Sequence, residues 1–264
     1  MSPQAFASSN SHRPCELGKV PAMSTEFDRR RFLGATGVAA AGLAAAVELT
    51  SRTADAQTAP TVGEPIMTYQ IKPLPFSPSG IPGLSEKILV SHYENNYSGA
   101  VKRLNAIGAE LAKVDYAKAP VFMINGLKRE ELIAMNSMIL HEAYFDSLGG
   151  EGAPSGGLAD AISRDFGSVD RWRTEFAAMG RAEGGGSGWV ILAYSPRDKR
   201  LVNQWAADHT TTLAGGRPIL VLDMYEHAYH MDYGAKAAAY VDVFMKTIHW
   251  ENAMKQYDRV SGES

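Results

Sequence analysis

Asp223-Met224-Tyr225-Glu226-His227-Ala228-Tyr229 follows the apolar run Pro218-Ile219-Leu220-Val221-Leu222, and this junction decides how the rest of the chain is read. The run has the aliphatic, β-branched composition of a buried strand. A strand end holds a side chain rigidly. If the chain turns into a helix here, Asp223 and His227 can reach one ion while Glu226 points elsewhere. The same spacing suits a helix-capping aspartate followed by an ordinary histidine, so the motif alone leaves both readings open.

Two histidines further up the chain bear on the choice. Ser85 can cap a helix over 85–113 whose apolar residues Ile88, Leu89, Tyr93, Tyr97, Val101, Leu104 and Ile107 recur at three and four, and His92 lies within it. Lys128-Arg129-Glu130-Glu131 announces a second helix, carried by Leu132, Ile133, Met135, Met138, Ile139 and Tyr144 over 128–148 and stopped by Gly149 and Gly150. It contains His141. Both imidazoles sit on or beside apolar faces, where an unpaired ring lacks hydrogen-bond partners. If the two helices pack antiparallel, side chains at their middles can face each other and build a metal site.

The remaining elements give the class. Residues 155–166 and 168–179 form two shorter helical patterns, the second capped by Ser168, and Gly184-Gly185-Gly186 ends them. Residues 189–194 are β-prone, 195–199 are turn-like, 201–205 pair as a hairpin partner, and 219–222 make a third strand. After Glu226 the chain returns to helix through Ala237, Tyr240, Val241, Phe244 and Met245, closing with His249-Trp250. This segregated order predicts an α+β fold: an N-terminal long antiparallel helical hairpin followed by an α/β half with a three-stranded antiparallel sheet. The expected organisation is a signal region over 1–56, an extended arm over 57–84 rich in Pro73, Pro75, Pro78 and Pro82, the hairpin over 85–150, and the α/β part over 151–264.

At 264 residues with 45% hydrophobic side chains, the chain can bury a substantial core. Its net charge of -3 offers no basic face, which argues against nucleic-acid partners. Asp28-Arg29-Arg30-Arg31-Phe32-Leu33-Gly34, followed by small apolar residues, reads as a twin-arginine export signal. The uncharged run 32–47 is shorter than the roughly 20 residues of a spanning helix, so no stable membrane span is expected. Ala54-Asp55-Ala56 supplies a cleavage site before Gln57, and Met23 is a candidate true start. A periplasmic or secreted protein follows. Cys15, the sole cysteine, falls in the removed segment, which leaves imidazole and carboxylate as metal donors; these suit iron, manganese or zinc.

From about residue 80 to 257 the sequence resembles the iron/manganese superoxide dismutase family. Residues 223–229 resemble its signature D-x-W-E-H-A-Y, and His249-Trp250-Glu251-Asn252 with Tyr257 resembles its C-terminal N-W-E-N and closing tyrosine. His141 with Tyr144-Phe145, His92 with Val101, Leu104 and Asn105, Arg164-Asp165-Phe166-Gly167-Ser168 and Gly186-Ser187-Gly188-Trp189 resemble further family segments. The resemblance implies one Fe or Mn ion per subunit on His92, His141, Asp223 and His227, with superoxide as substrate and dioxygen and hydrogen peroxide as products. It implies that His209, in Asp208-His209, faces the metal's remaining coordination position, because Ser137 stands where other members carry Gln. It also implies active-site roles for Trp189 and Tyr225, and a homodimer in which Glu226 bridges to the neighbouring subunit's metal-bound histidine.

Some positions depart from the family pattern. The His and Tyr that usually follow the first ligand by four and eight residues are Asn96 and Ala100, the second Tyr of E-H-A-Y-Y is His230, and the usual Trp is Tyr225. Asn96 and His230 occupy positions that hydrogen-bond across the family's dimer, so both partners of that contact have changed. Loss of the gate tyrosine at Ala100 widens the expected entrance and removes a proton donor. Two other readings therefore stay open: a related metal-dependent oxidoreductase with a changed substrate funnel, and a non-catalytic metal-binding protein of the same fold.

Overall fold

Ser85 opens the helical half as its sequence suggests. Its hydroxyl accepts the Ile88 amide at 3.2 Å, and its own amide and hydroxyl each reach the Asp232 carboxylate at 2.7 Å. The first helix is thus tied at its start to the segment that follows His227. The computed structural model describes residues 67–262, all inside the unit Ala59–Ser264. The expected signal region 1–56 and the beginning of the arm, 57–66, lie outside the described residues.

The helix expected over 85–113 is not one continuous α-helix. It consists of α1 (Glu86–Ser91), a π-helical turn at His92–Tyr97 and α2 (Ser98–Leu111). The Ser98 amide donates to the Tyr93 carbonyl, five residues back, so one extra residue is inserted into the turn. Apolar spacing at three and four does not reveal such an insertion. The turn begins at His92, and it sends Tyr97 towards the chain ahead of α1. There the Tyr97 hydroxyl accepts the Lys72 amide at 2.9 Å and donates to Glu142 at 3.0 Å, while Asn105 bonds both the amide and the carbonyl of Tyr69. The extended segment 69–75 is clamped onto the hairpin in this way.

α3 (Val121–Asp146) begins seven residues ahead of the expected 128. Pro120, with extended ψ of 135°, supplies the entering carbonyl to the Met123 amide, and the helix starts where a missing proline donor costs nothing. Val121 and Phe122 are exposed, so no buried stripe marks these first turns. The short connection 112–120 folds α3 back against α2.

α4 (Gly156–Phe166) and α5 (Val169–Ala182) follow the expected helices, α5 running three residues further, with Ser168 accepting the Arg171 amide at 3.0 Å as its cap. β1 (Trp189–Ser195), β2 (Arg200–Ala206) and β3 (Arg217–Asp223) form one antiparallel sheet in the order β2-β1-β3. The register sets Trp189 opposite Asp223. A glycine at 188 is required, since a Cβ there would meet the Ala206 carbonyl at 2.6 Å and its φ is +151°.

The chain after β3 differs from the single helical return expected there. It makes a 3-10 turn at Glu226–Ala228, then α6 (His230–Tyr233), α7 (Ala237–Phe244) and a separate last helix, α8 (Trp250–Gly262). Gly234 at φ +53° breaks the first join. At the second, the His249 amide bonds the Ser147 carbonyl at 2.8 Å, beside the Leu148–Ile248 bridge, which turns the backbone away from helix. Trp172, Phe176, Phe244, Tyr240 and Tyr144, all fully buried, fill the space between α5, α7 and α3, and Tyr240 carries this packing to the end of β3 by donating to the Asp223 carbonyl at 2.8 Å.

Candidate metal centre

Four elements deliver four donors to one point. His92 enters from the π-helical turn, His141 from α3, Asp223 from the end of β3 and His227 from the 3-10 turn after it. Asp223 Oδ2 lies 3.1 Å from His92 Nε2, 3.2 Å from His227 Nε2 and 3.7 Å from His141 Nε2. One ligand atom from each residue falls within 4.8 Å of all the others. Donors about 2.0–2.2 Å from a shared ion lie roughly 3–4 Å apart, so this spacing fits a mononuclear site.

The hydrogen bonds make the same point. Nε2 of His92 and Nε2 of His141 are buried with no hydrogen-bond partner, an arrangement that costs free energy unless something else occupies the lone pair. His141 Nδ1 lies 2.6 Å from the Ser137 carbonyl. A carbonyl only accepts, so Nδ1 carries the proton and Nε2 presents its lone pair to the centre. The Tyr225 amide donates to Asp223 Oδ1 at 2.8 Å, which leaves Oδ2 for the site.

Charge follows burial. Desolvation pushes the His92 imidazole below its ordinary pKa against the pull of Asp223, and it lowers His141 to about 3. Burial alone would raise Asp223, but His227 and His92 beside it hold its carboxyl well below the usual range. The centre therefore presents an anionic carboxylate with neutral His92 and His141. An imidazole-rich set with one carboxylate and no sulfur suits iron, manganese or zinc.

The wall around the donors contains three of the other expected residues. Trp189 is fully buried, packs edge-on against His141 with ring centres 5.2 Å apart, and donates from Nε1 to His209 Nδ1 at 3.1 Å. Tyr225 stacks between His209 at 4.8 Å and His227 at 5.3 Å, with its hydroxyl pushed up to about 12 by burial and then by Asp223. His209 is lowered by desolvation. Asn96 is half-buried on the π-helical turn, and His230 and Glu226 are exposed. None of these last three is among the four converging donors.

Sequence reasoning did not single out two residues near this centre. Asn136, one position before Ser137, donates from its side chain to the His209 carbonyl at 2.6 Å; it is one of many polar residues on α3, and nothing in the sequence sets it apart. Glu183 is 7% exposed with neither carboxylate oxygen hydrogen-bonded. Desolvation, and then the Asp223 charge, raise it to about 8. It stands in a helix-ending glycine-rich stretch, where nothing in the sequence marks it as buried.

Known proteins resemble much of this chain. Residues 154–256 match the family model of the iron/manganese superoxide dismutases, C-terminal domain. The chain is 70% identical over 191 residues, 72% of its length and 97% of the other's, to a superoxide dismutase [Fe] of Cupriavidus metallidurans. It is 36% identical to a superoxide dismutase [Fe] of Aquifex pyrophilus, across 69% of this chain and 91% of that one. It is 32% identical to superoxide dismutase [Mn] 1 of Halobacterium salinarum, across 73% and 96%. This chain belongs to the iron/manganese superoxide dismutase family.

Proposed function

We propose that this protein disproportionates superoxide at a single iron or manganese ion held by His92, His141, Asp223 and His227. Two superoxide anions and two protons give one dioxygen and one hydrogen peroxide. The observation that carries the reading is the convergence of the four donors with two buried imidazole nitrogens left unpartnered. Iron is favoured, because the relative that is 70% identical is named for iron.

A bound iron or manganese ion supplies one-electron redox chemistry. The chain's residues supply the rest. Asp223 and the imidazoles fix the ion's position, and the Ser137 carbonyl locks the His141 tautomer. Trp189 and Tyr225 exclude water from one side. The Trp189 indole N–H occupies His209 Nδ1, so the neutral ring bears its proton on Nε2 and can donate there. Decay of superoxide followed by pulse radiolysis, with the iron-loaded and manganese-loaded protein, tests the reading; catalysed decay supports it, and uncatalysed decay with both metals refutes it.

One observation favours a second reading, a related oxidoreductase with a changed funnel. Ala100 stands where the family has its gate tyrosine, and the Tyr97 hydroxyl is held by the Lys72 amide and Glu142, so it does not take over that role. Slow dismutation beside faster turnover of another small oxidant would select this reading.

Assembly and location complete the proposal. Exposed Glu226 and His230 and half-buried Asn96 suit a homodimer in which Glu226 bridges to the partner's ligand histidine; Glu226→Ala should then elute as a monomer. The twin arginines at 29 and 30 support export to the periplasm or medium. Among the described residues no helix is long and apolar enough to cross a membrane. Export abolished by Arg29→Lys with Arg30→Lys would support this location; unchanged export would remove it.

A further inference from the structure

His209 is held from three directions. The Trp189 indole donates to its Nδ1 at 3.1 Å, the Tyr225 ring stacks on its face at 4.8 Å, and the Asn136 side-chain amide donates to its main-chain carbonyl at 2.6 Å. A carbonyl cannot donate, so the amide's NH2 must be the group that faces it. Around His209 the loop is knit to itself, Asp208 Oδ1 accepting the Thr210 amide at 2.7 Å and the Thr210 hydroxyl at 2.6 Å. It is joined to the start of β1 and to the turn after β3 by the Ser187 hydroxyl, which donates to the Ala207 carbonyl at 3.2 Å, and by the Tyr225 hydroxyl, which bonds the His209 backbone. Among the described hydrogen bonds, Asn136 is the one that fastens this loop's backbone at His209 to α3.

The position of Asn136 on α3 gives that bond a second meaning. The next residue, Ser137, offers the carbonyl that orients His141. One turn of α3 therefore sets both the ligand His141 and the backbone of His209, whose ring centre is 6.1 Å from that of His141. A group that orients residues beside a metal ligand shifts the metal's redox properties without touching the metal.

We infer that Asn136 is a positioning residue that fixes the His209 imidazole against the metal centre and thereby sets the reduction potential of the bound ion. The inference rests on the proposed redox function, but its first readout does not. Asn136→Ala removes the amide, and Asn136→Asp keeps its size while replacing the donor by an acceptor that repels the His209 carbonyl. Asn136 is half-buried, so both variants should fold.

The test has two arms. In the metal-free protein, hydrogen exchange of the Trp189 indole N–H, assigned with Trp189→Phe, should accelerate at least tenfold in both variants, because the indole's acceptor is no longer held in place. In the iron-loaded protein, both variants should keep wild-type metal content while the oxidised-to-reduced ratio at a fixed applied potential changes at least threefold. Unchanged indole exchange would overturn the inference. So would accelerated exchange with an unmoved potential, since Asn136 would then only tether a loop. Absence of dismutation by the wild-type protein would instead sink the functional reading and leave the metal-free arm intact.

Discussion

His92 Nε2 and Asp223 Oδ2 lie 3.1 Å apart, and yet the His92 nitrogen has no hydrogen bond. Both side chains are buried. A carboxylate and an imidazole brought this close to stabilise the fold alone would be expected to bond directly. Asp223 Oδ2 instead lies in hydrogen-bond geometry with His227 Nε2 at 3.2 Å, and one ligand atom of each of the four residues falls within 4.8 Å of the others, which is how the ligands of one ion are disposed.

That relationship makes ligand removal specific. His141→Ala leaves the Ser137 carbonyl without its donor and opens the coordination set, so purified protein should hold less than about a tenth of the wild-type metal. Its melting temperature should also become insensitive to added iron or manganese, because metal binding no longer stabilises the folded state by mass action. Elemental analysis beside thermal unfolding checks both.

Acid should destabilise the metal-free protein. Folded-state pKa values of His92, His141 and Asp223 are depressed, so their contributions are present above the unfolded-state values and are lost as pH falls through the folded ones. For the histidines the loss begins near pH 6.5 and continues to about 3 for His141. Urea unfolding should show a drop on the order of 2–4 kcal/mol between pH 7.5 and 4.5. A flat profile would mean that these imidazoles are not buried neutral in the absence of metal.

Glu183 acts with the opposite sign. Its folded pKa of about 8 lies above that of an ordinary carboxyl, so its contribution is present at low pH and is lost as pH rises towards 8. Glu183→Gln removes this titration. Relative to wild type, the variant should gain about 1–3 kcal/mol of stability between pH 5 and 8.5, read from denaturant midpoints at the two pH values.

Trp189→Phe keeps most of the packing against His141 and removes the donor to His209 Nδ1. Metal should be retained while superoxide turnover falls about 10–100-fold, the usual cost of losing a residue that orients the groups around a metal. Equal activity would show that the indole bond has no part in catalysis.

The parts of this architecture that were legible in the sequence are those written in periodicity and spacing. They include the strand ending at Asp223, the four-residue step to His227 and the apolar faces beside His92 and His141, which left a shared ion as one open reading; the set of four ligands was implied by the resemblance to the iron/manganese superoxide dismutases. Four features were not legible. The π-helical turn at His92–Tyr97 leaves the hydropathy pattern smooth, because one inserted residue only rotates the face. The first two turns of α3 were hidden because Val121 and Phe122 are apolar but exposed. Asn136 meets the carbonyl of His209, far along the chain, and Glu183 feels burial and the charge of the distant Asp223; no local pattern encodes such neighbours.

The central claim is that one redox metal sits among His92, His141, Asp223 and His227. Anomalous diffraction from crystals of the metal-loaded protein, collected at the iron and manganese absorption edges, tests it most directly. A single peak per chain, within bonding distance of Nε2 of all three histidines and of Asp223 Oδ2, is the predicted result. A peak bound by other side chains, or none at either edge in protein that elemental analysis shows to carry metal, would contradict it.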